Sequence, residues 1–215
     1  MRSSTEDIAI RAGDATLYGS LDVPDRALGL VVFAHGSGSS RFSPRNRMVA
    51  GTLRDAGLGT LLFDLLTEDE ERIDAVTREF RFDIEFLAER LVAVARWLRE
   101  QRGVTLPLGY FGSSTGAAAL LAAAHGPSVR AVVSRGGRPD LAGDALELVQ
   151  APTLLIVGGN DLPVLELNRS ALRRLRCEKK LVIVPGATHL FEEPGTLEQV
   201  TAEARAWYKT HFALQ

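Results

Sequence analysis

The sequence predicts an α/β fold: a mostly parallel central sheet of about eight strands, an antiparallel hairpin at its N-terminal end, and helices on both faces. Three observations carry this. Leu28 to Ala34 and Pro152 to Gly158 are near-continuous apolar runs, as expected of strands covered on both sides. Between such runs lie stretches with apolar residues three and four apart, for example Ile84, Leu87, Leu91, Val94 and Leu98, the spacing of a helix with one buried face. At 215 residues and 46% hydrophobic, residues 1–215 fit a single domain with a sizeable core, and no long Pro/Gly/Ser linker divides them.

In chain order, Asp7 to Ala12 and Ala15 to Val23 alternate apolar and polar residues around Gly13-Asp14, an edge hairpin with one wet face. The strand Leu28 to Ala34 runs into a glycine-rich loop, His35-Gly36-Ser37-Gly38-Ser39-Ser40. Ser43 then reads as an N-cap with Pro44 at the first helical position, opening a helix through Met48, Val49 and Leu53 that stops at Gly57. Leu58 to Leu66 is the next strand. Glu68-Asp69-Glu70-Glu71 reads as a solvated loop before the Ile84 helix, and Phe80 and Phe82 either wall a pocket or staple the start of that helix. Leu106 to Phe111 is a strand, and Ala117 to His125 a small-residue helix ended by Gly126-Pro127. Val129 to Ser134 forms another strand, and only Arg135 to Ala151, with a short segment from Leu141 to Val149, separates it from Pro152. No lid domain fits there. A helix around Val164 to Leu175, a strand from Leu181 to Val184, and a helix from Thr196 to Trp207 with Leu197, Val200, Ala204 and Trp207 on one face complete the pattern.

A formal charge of −2 argues against a nucleic-acid partner. The single cysteine, Cys177, cannot form an internal disulfide, and its neighbours Arg176 and Glu178 suggest a helix end and no metal site. Met1 to Asp7 is polar and no run approaches a membrane span, so a cytoplasmic location is the default expectation.

The chemistry centres on Gly112-Ser113-Ser114-Thr115-Gly116, between an apolar strand and a small-residue helix. A serine on so tight a turn stands clear of the sheet, and the two glycines remove the collisions that the turn creates. Ser114 is therefore the candidate nucleophile. The helix that follows directs its free N–H groups at the place where an oxyanion would form. A phosphate-binding loop would need a lysine before its terminal Ser/Thr, and none stands here. Ser37 N–H, on the first glycine-rich loop, and Thr115 N–H are the expected oxyanion donors. His35 reads as a structural histidine bonded to its loop, and Arg41, Arg45 and Arg47 as solvated surface arginines in preference to the lining of an entrance that attracts an acidic substrate.

Asp161, just past the strand ending at Gly158, is the expected orienting acid, and His189, past the last strand, the expected general base. A serine hydroxyl is too weak an acid to attack an ester unaided; an imidazole takes its proton, and a carboxylate fixes the imidazole tautomer. Asp140, after the preceding strand, is the rival for the acid role.

On these residues the chain is identified as a member of the α/β-hydrolase superfamily, over nearly its whole length. It most resembles small, lidless, dienelactone-hydrolase-like proteins, through His35-Gly36-Ser37-Gly38-Ser39-Ser40-Arg41 and Ser134-Arg135-Gly136-Gly137-Arg138-Pro139-Asp140. The resemblance implies a hydrolase that needs no metal or organic cofactor and acts on a small-molecule ester, with no nucleic-acid or membrane partner and with homo-oligomerisation left open. Dienelactone hydrolases carry a cysteine at the elbow, where this chain has Ser114, which favours ordinary carboxylic-ester hydrolysis. Acyl transfer to an alcohol, amine or peroxide, lactone hydrolysis, and a non-catalytic ligand-binding role are the alternatives.

Overall fold

The structure is a computed structural model in which residues 5–125 and 129–213 are described. Eight strands form one sheet in the order β1-β2-β4-β3-β5-β6-β7-β8. Strands β1 (Glu6–Ala12) and β2 (Ala15–Asp22) are the predicted edge hairpin, and β2 also runs antiparallel to β4 (Gly59–Phe63). From β4 onward all pairings are parallel, through β3 (Leu30–Ala34), β5 (Leu108–Ser113), β6 (Val129–Arg135), β7 (Thr153–Gly158) and β8 (Lys179–Val184). Every residue of β3, β4, β5 and β7 is buried, which is why they read as unbroken apolar runs.

Two apolar cores lie on opposite faces of this sheet. One packs Ile10, Val32 and Tyr110 against α3 (Ile84–Glu100) and α4 (Gly116–His125). The other packs Phe33, Phe111 and Val133 against α1 (Pro44–Asp55) and α6 (Thr196–Ala213). Helix α5 (Leu162–Arg174) joins β7 to β8, and a kinked 3-10 segment, Pro139–Leu148, is all that lies between β6 and β7. Among the described residues no lid domain interrupts the fold. Ser43 caps α1 as expected, its side chain accepting from the Asn46 N–H, but Met48 is exposed and Asn46 takes a buried position on that helix.

Two helices differ from expectation. The acidic run is no loop: Glu68 to Glu71 are the first turn of α2 (Glu68–Thr77). Thr67 Oγ1 accepts from Glu70 N–H at 3.2 Å, while Glu70 Oε2 accepts from Thr67 N–H at 2.7 Å, a reciprocal cap. Carboxylates are favoured at that positive helix end, and Glu70 also pairs with Arg90 of α3. Helix α6 runs on past Trp207 to Ala213, because Tyr208 and Phe212 are buried while Trp207 is only partly so. The Tyr208 hydroxyl donates to the Tyr110 carbonyl of β5 at 2.7 Å. The predicted Gly126-Pro127 stop and residues Met1 to Ser4 lie outside the described residues. Among the described residues no helix is long and apolar enough to cross a membrane.

Candidate active site

The parallel strands β3, β5, β6, β7 and β8 all deliver their C-terminal ends to one edge, where Ser114, Asp161 and His189 stand. Ser114 occupies the turn between β5 and α4 with φ 58°, a left-handed conformation uncommon for a residue with a side chain. Gly112 and Gly116 make the turn geometrically allowable: a Cβ on Gly112 would lie 2.4 Å from Gly116 Cα. Two backbone bonds fix the turn. Ser114 N–H donates to the Arg135 carbonyl at 3.2 Å, and Arg138 N–H donates to the Ser114 carbonyl at 2.9 Å. Strand β6 and the residues after it thus hold the elbow.

The glycine-rich loop after β3 lies against this turn. A Cβ on Gly36 would stand 3.1 Å from Ser114 Cβ and 3.9 Å from Ser114 Oγ, so the backbone of the loop is the near neighbour of the serine. Thr115 locks the two together, its hydroxyl donating to the His35 carbonyl at 2.8 Å. Ser37 is exposed and turns its hydroxyl to the Arg81 carbonyl at 3.3 Å. A cavity of about 350 Å³ opens beside Ser37 and Thr115, with Leu65, Leu66 and Leu87 as apolar walls and Arg81 at its side.

His35 is structural, as predicted. Leu65 N–H donates to its Nε2 at 3.0 Å, so Nδ1 carries the proton and donates to the Gly36 carbonyl at 3.0 Å. Burial holds its pKa below the ordinary value, against a smaller opposing pull from the Gly36 bond and from Asp64 and Glu71.

Asp161 precedes α5 at the N-cap position yet makes no side-chain cap bond. Its Oδ2 instead meets His189 Nδ1 at 2.7 Å, with the carboxylate largely buried (12% exposed) and the imidazole open to solvent (40% exposed). The other imidazole nitrogen has no protein partner among the described residues. Asn160 staples the two loops, its N–H donating to Ala187 O at 2.9 Å and its side-chain amide to Gly186 O at 3.0 Å. His189 leans over the end of β6: a Cβ on Gly136 would lie 3.6 Å from His189 Cε1. Asp140, the rival acid, is committed elsewhere, both its oxygens accepting from Arg138 at 2.8 Å.

Other expectations resolve as follows. Arg41 is not simply solvated but pairs with Asp64, which also accepts from the Arg41 N–H. Arg45 reaches Glu192 at 3.1 Å, and none of Arg41, Arg45 and Arg47 lines the cavity. Phe80 packs on Phe86 of α3 with ring centroids 5.5 Å apart and so staples the helix entry, whereas Phe82 is exposed and neither staples the helix nor lines the cavity. The residue between them reaches the cavity: Arg81 is pinned by Asp74 at 2.6 Å. Burial pushes the Asp74 carboxyl up, but bonds from Arg81 and Phe80 and the Arg81 charge outweigh it and leave the pKa below the usual range. Cys177 lies between α5 and β8, its thiol pKa raised by burial.

Two features had no signature in the sequence. Arg135, at the end of β6, is 7% exposed, and its Nε and Nη1 have no hydrogen-bond partner among the described residues. Burial, and secondarily the Arg45 charge, push its pKa down to about 10. Phe191, two residues past His189, is buried at φ 56°.

Known proteins share this fold. The model of the Dienelactone hydrolase family matches residues 14–215. The crystal structure of a dienelactone hydrolase from Anabaena variabilis superposes with TM-score 0.96 at 55% identity, covering 98% of this chain and 99% of that one. A lidless α/β serine hydrolase from Xanthomonas campestris shares the fold, with TM-score 0.77 at 23% identity over 98% of this chain and 96% of that one. A curated Mycobacterium tuberculosis protein, provisionally named a phosphoribosyl transferase, is 58% identical over 209 residues, covering 96% of this chain but 46% of the relative. The chain thus spans about half the length of those curated relatives. It belongs to the dienelactone hydrolase family and has the α/β-hydrolase fold.

Proposed function

We propose that the chain is a serine hydrolase of small carboxylic esters, acting through an acyl-enzyme on Ser114. The observation that carries this is the 2.7 Å bond from His189 Nδ1 to Asp161, at the strand edge that also bears Ser114 on its strained elbow. With Nδ1–H given to the carboxylate, the free Nε2 is the basic nitrogen that a general base requires. His189 takes the Ser114 proton as Oγ attacks the ester carbonyl, and the tetrahedral oxyanion is held by Ser37 N–H and Thr115 N–H. Collapse expels the alcohol, which leaves with the proton from His189. Water, deprotonated by the same imidazole, then releases the acid and restores Ser114.

Acyl groups are small and soluble in this reading. The cavity beside Ser37 and Thr115, which borders the oxyanion donors while none of Ser114, Asp161 and His189 lines it, is about 350 Å³, at the lower end of ligand pockets, and no lid supplies an apolar tunnel for a long chain. The phosphoribosyl-transferase name belongs to relatives of which this chain matches under half.

The test is hydrolysis of p-nitrophenyl esters graded by acyl length, with wild type and Ser114→Ala in parallel. The wild type turns over the acetyl ester faster than long-chain esters, and Ser114→Ala loses the activity. Equal rates in the two proteins would overturn the assignment. Labelling of Ser114 by a fluorophosphonate, absent in the alanine variant, gives a second readout that needs no turnover.

A further inference from the structure

The imidazole of His189 is exposed on a surface loop, yet it is held within 2.7 Å of its carboxylate. That needs an anchor. The loop closes as a turn in which Phe191 N–H donates to the Thr188 carbonyl at 3.3 Å, so His189 occupies the first of its two corner positions. Glu193 clasps the same turn, accepting from Thr188 N–H at 3.1 Å and Thr188 Oγ1 at 2.6 Å. Arg45 of α1 reaches Glu192 at 3.1 Å. These bonds are exposed and compete with water, which makes them weak restraints.

Phe191 is different in kind. It is 2% exposed, part of the core under α1 and α6, and its backbone stands at φ 56°, strained for a bulky side chain. Such a conformation persists only where the surroundings over-determine it. Here the surroundings are the ring's own socket. A Cβ on Gly136 would stand 3.4 Å from Phe191 Cε2, and the Arg135 guanidinium lies 5.9 Å from the ring centroid, within range of a cation–π contact. The same Gly136 backbone adjoins the His189 ring, so the socket of Phe191 and the seat of the imidazole share one floor. Return of φ to the common negative region would lift the ring from the core and open the turn, carrying His189 away from Asp161.

We propose that Phe191, seated over Arg135 and Gly136, is the positioning residue for His189. This rests on the reading of His189 as general base, but its principal test does not depend on turnover. The His189 Nδ1 proton, shared with Asp161 across a short bond, gives a low-field proton resonance in the wild type that is lost in Asp161→Asn. In Phe191→Ala this resonance broadens or disappears, kcat for the acetyl ester falls by about 10²-fold as expected for a catalytic group displaced by an ångström, and KM stays put. Phe191→Gly, which suits the positive φ and guards against a variant that fails to fold, shows the same loss, and Phe191→Leu, which refills the socket, restores both signals. Retention of the resonance in folded Phe191→Ala or Phe191→Gly overturns the proposal, whatever the rate does. Absence of ester turnover in the wild type with the resonance still sensitive to Phe191 would instead overturn only the assigned reaction.

Discussion

His35 and His189 both follow the C-terminal end of a parallel strand, and they are used in opposite ways. His35 is buried and spends both ring nitrogens on backbone, one accepting from Leu65 and one donating to Gly36. His189 spends one nitrogen on a carboxylate and presents the other to the open edge. A histidine with both nitrogens committed to the backbone can brace a loop but cannot exchange protons with a substrate. Only the second has the free basic site that acid–base chemistry needs.

The largest effect that sharpens this contrast is at His189. His189→Gln lowers kcat for the acetyl ester by about 10⁶-fold, and Asp161→Asn by about 10⁴-fold, because the asparagine amide favours the wrong imidazole tautomer. Stopped-flow and steady-state assays of the two variants check this, and losses of equal size in His35→Gln would break the comparison. His35→Gln is expected to cost stability first: leaving a buried group such as Leu65 N–H poorly satisfied costs about 1–3 kcal/mol, read from denaturant unfolding.

That variant also has a pH signature. The folded state holds His35 neutral with a lowered pKa, while the unfolded chain takes a proton near the ordinary histidine value of 6.5. Below that value the unfolded state binds more protons, so the contribution of His35 to stability is complete above about 6.5 and is lost as pH falls towards the lower folded value. The difference between wild type and His35→Gln therefore narrows on mild acidification. The smallest effect is at the rival carboxylate. Asp140→Asn breaks a partly exposed pair with Arg138, costs under about 1 kcal/mol and leaves kcat unchanged, in contrast to Asp161→Asn.

Much of the site was legible because its signals are local. The elbow is written in five consecutive residues, and its strand-turn-helix setting follows from apolar runs and small-residue content. The hairpin, the α1 cap and the order of Ser114, Asp161 and His189 at strand ends were equally readable. Helix α2 is less legible, although Thr67 and Glu70 have the spacing of a reciprocal cap. Its apolar residues Ile73 and Val76 face solvent, so it lacks the buried stripe that a periodicity reading looks for. The last turns of α6 beyond Trp207 carry no such local signal, because Tyr208 and Phe212 are buried by contacts with β5, distant in sequence.

By itself the sequence determined what depends on neighbours along the chain: the alternation of strand and helix, the caps, the strained turn at Ser114, and which residue types reach the working edge. The tertiary structure alone decided which carboxylate His189 would meet, that Asp161 would orient an imidazole in place of capping α5, and that Phe191 would be pressed into a left-handed turn over Arg135. Those outcomes depend on β6, β7 and β8 lying side by side, which brings together groups 28 residues apart for Asp161 and His189. A hydrogen-bond partner is chosen by distance and burial in space, and neither quantity is a property of the local sequence.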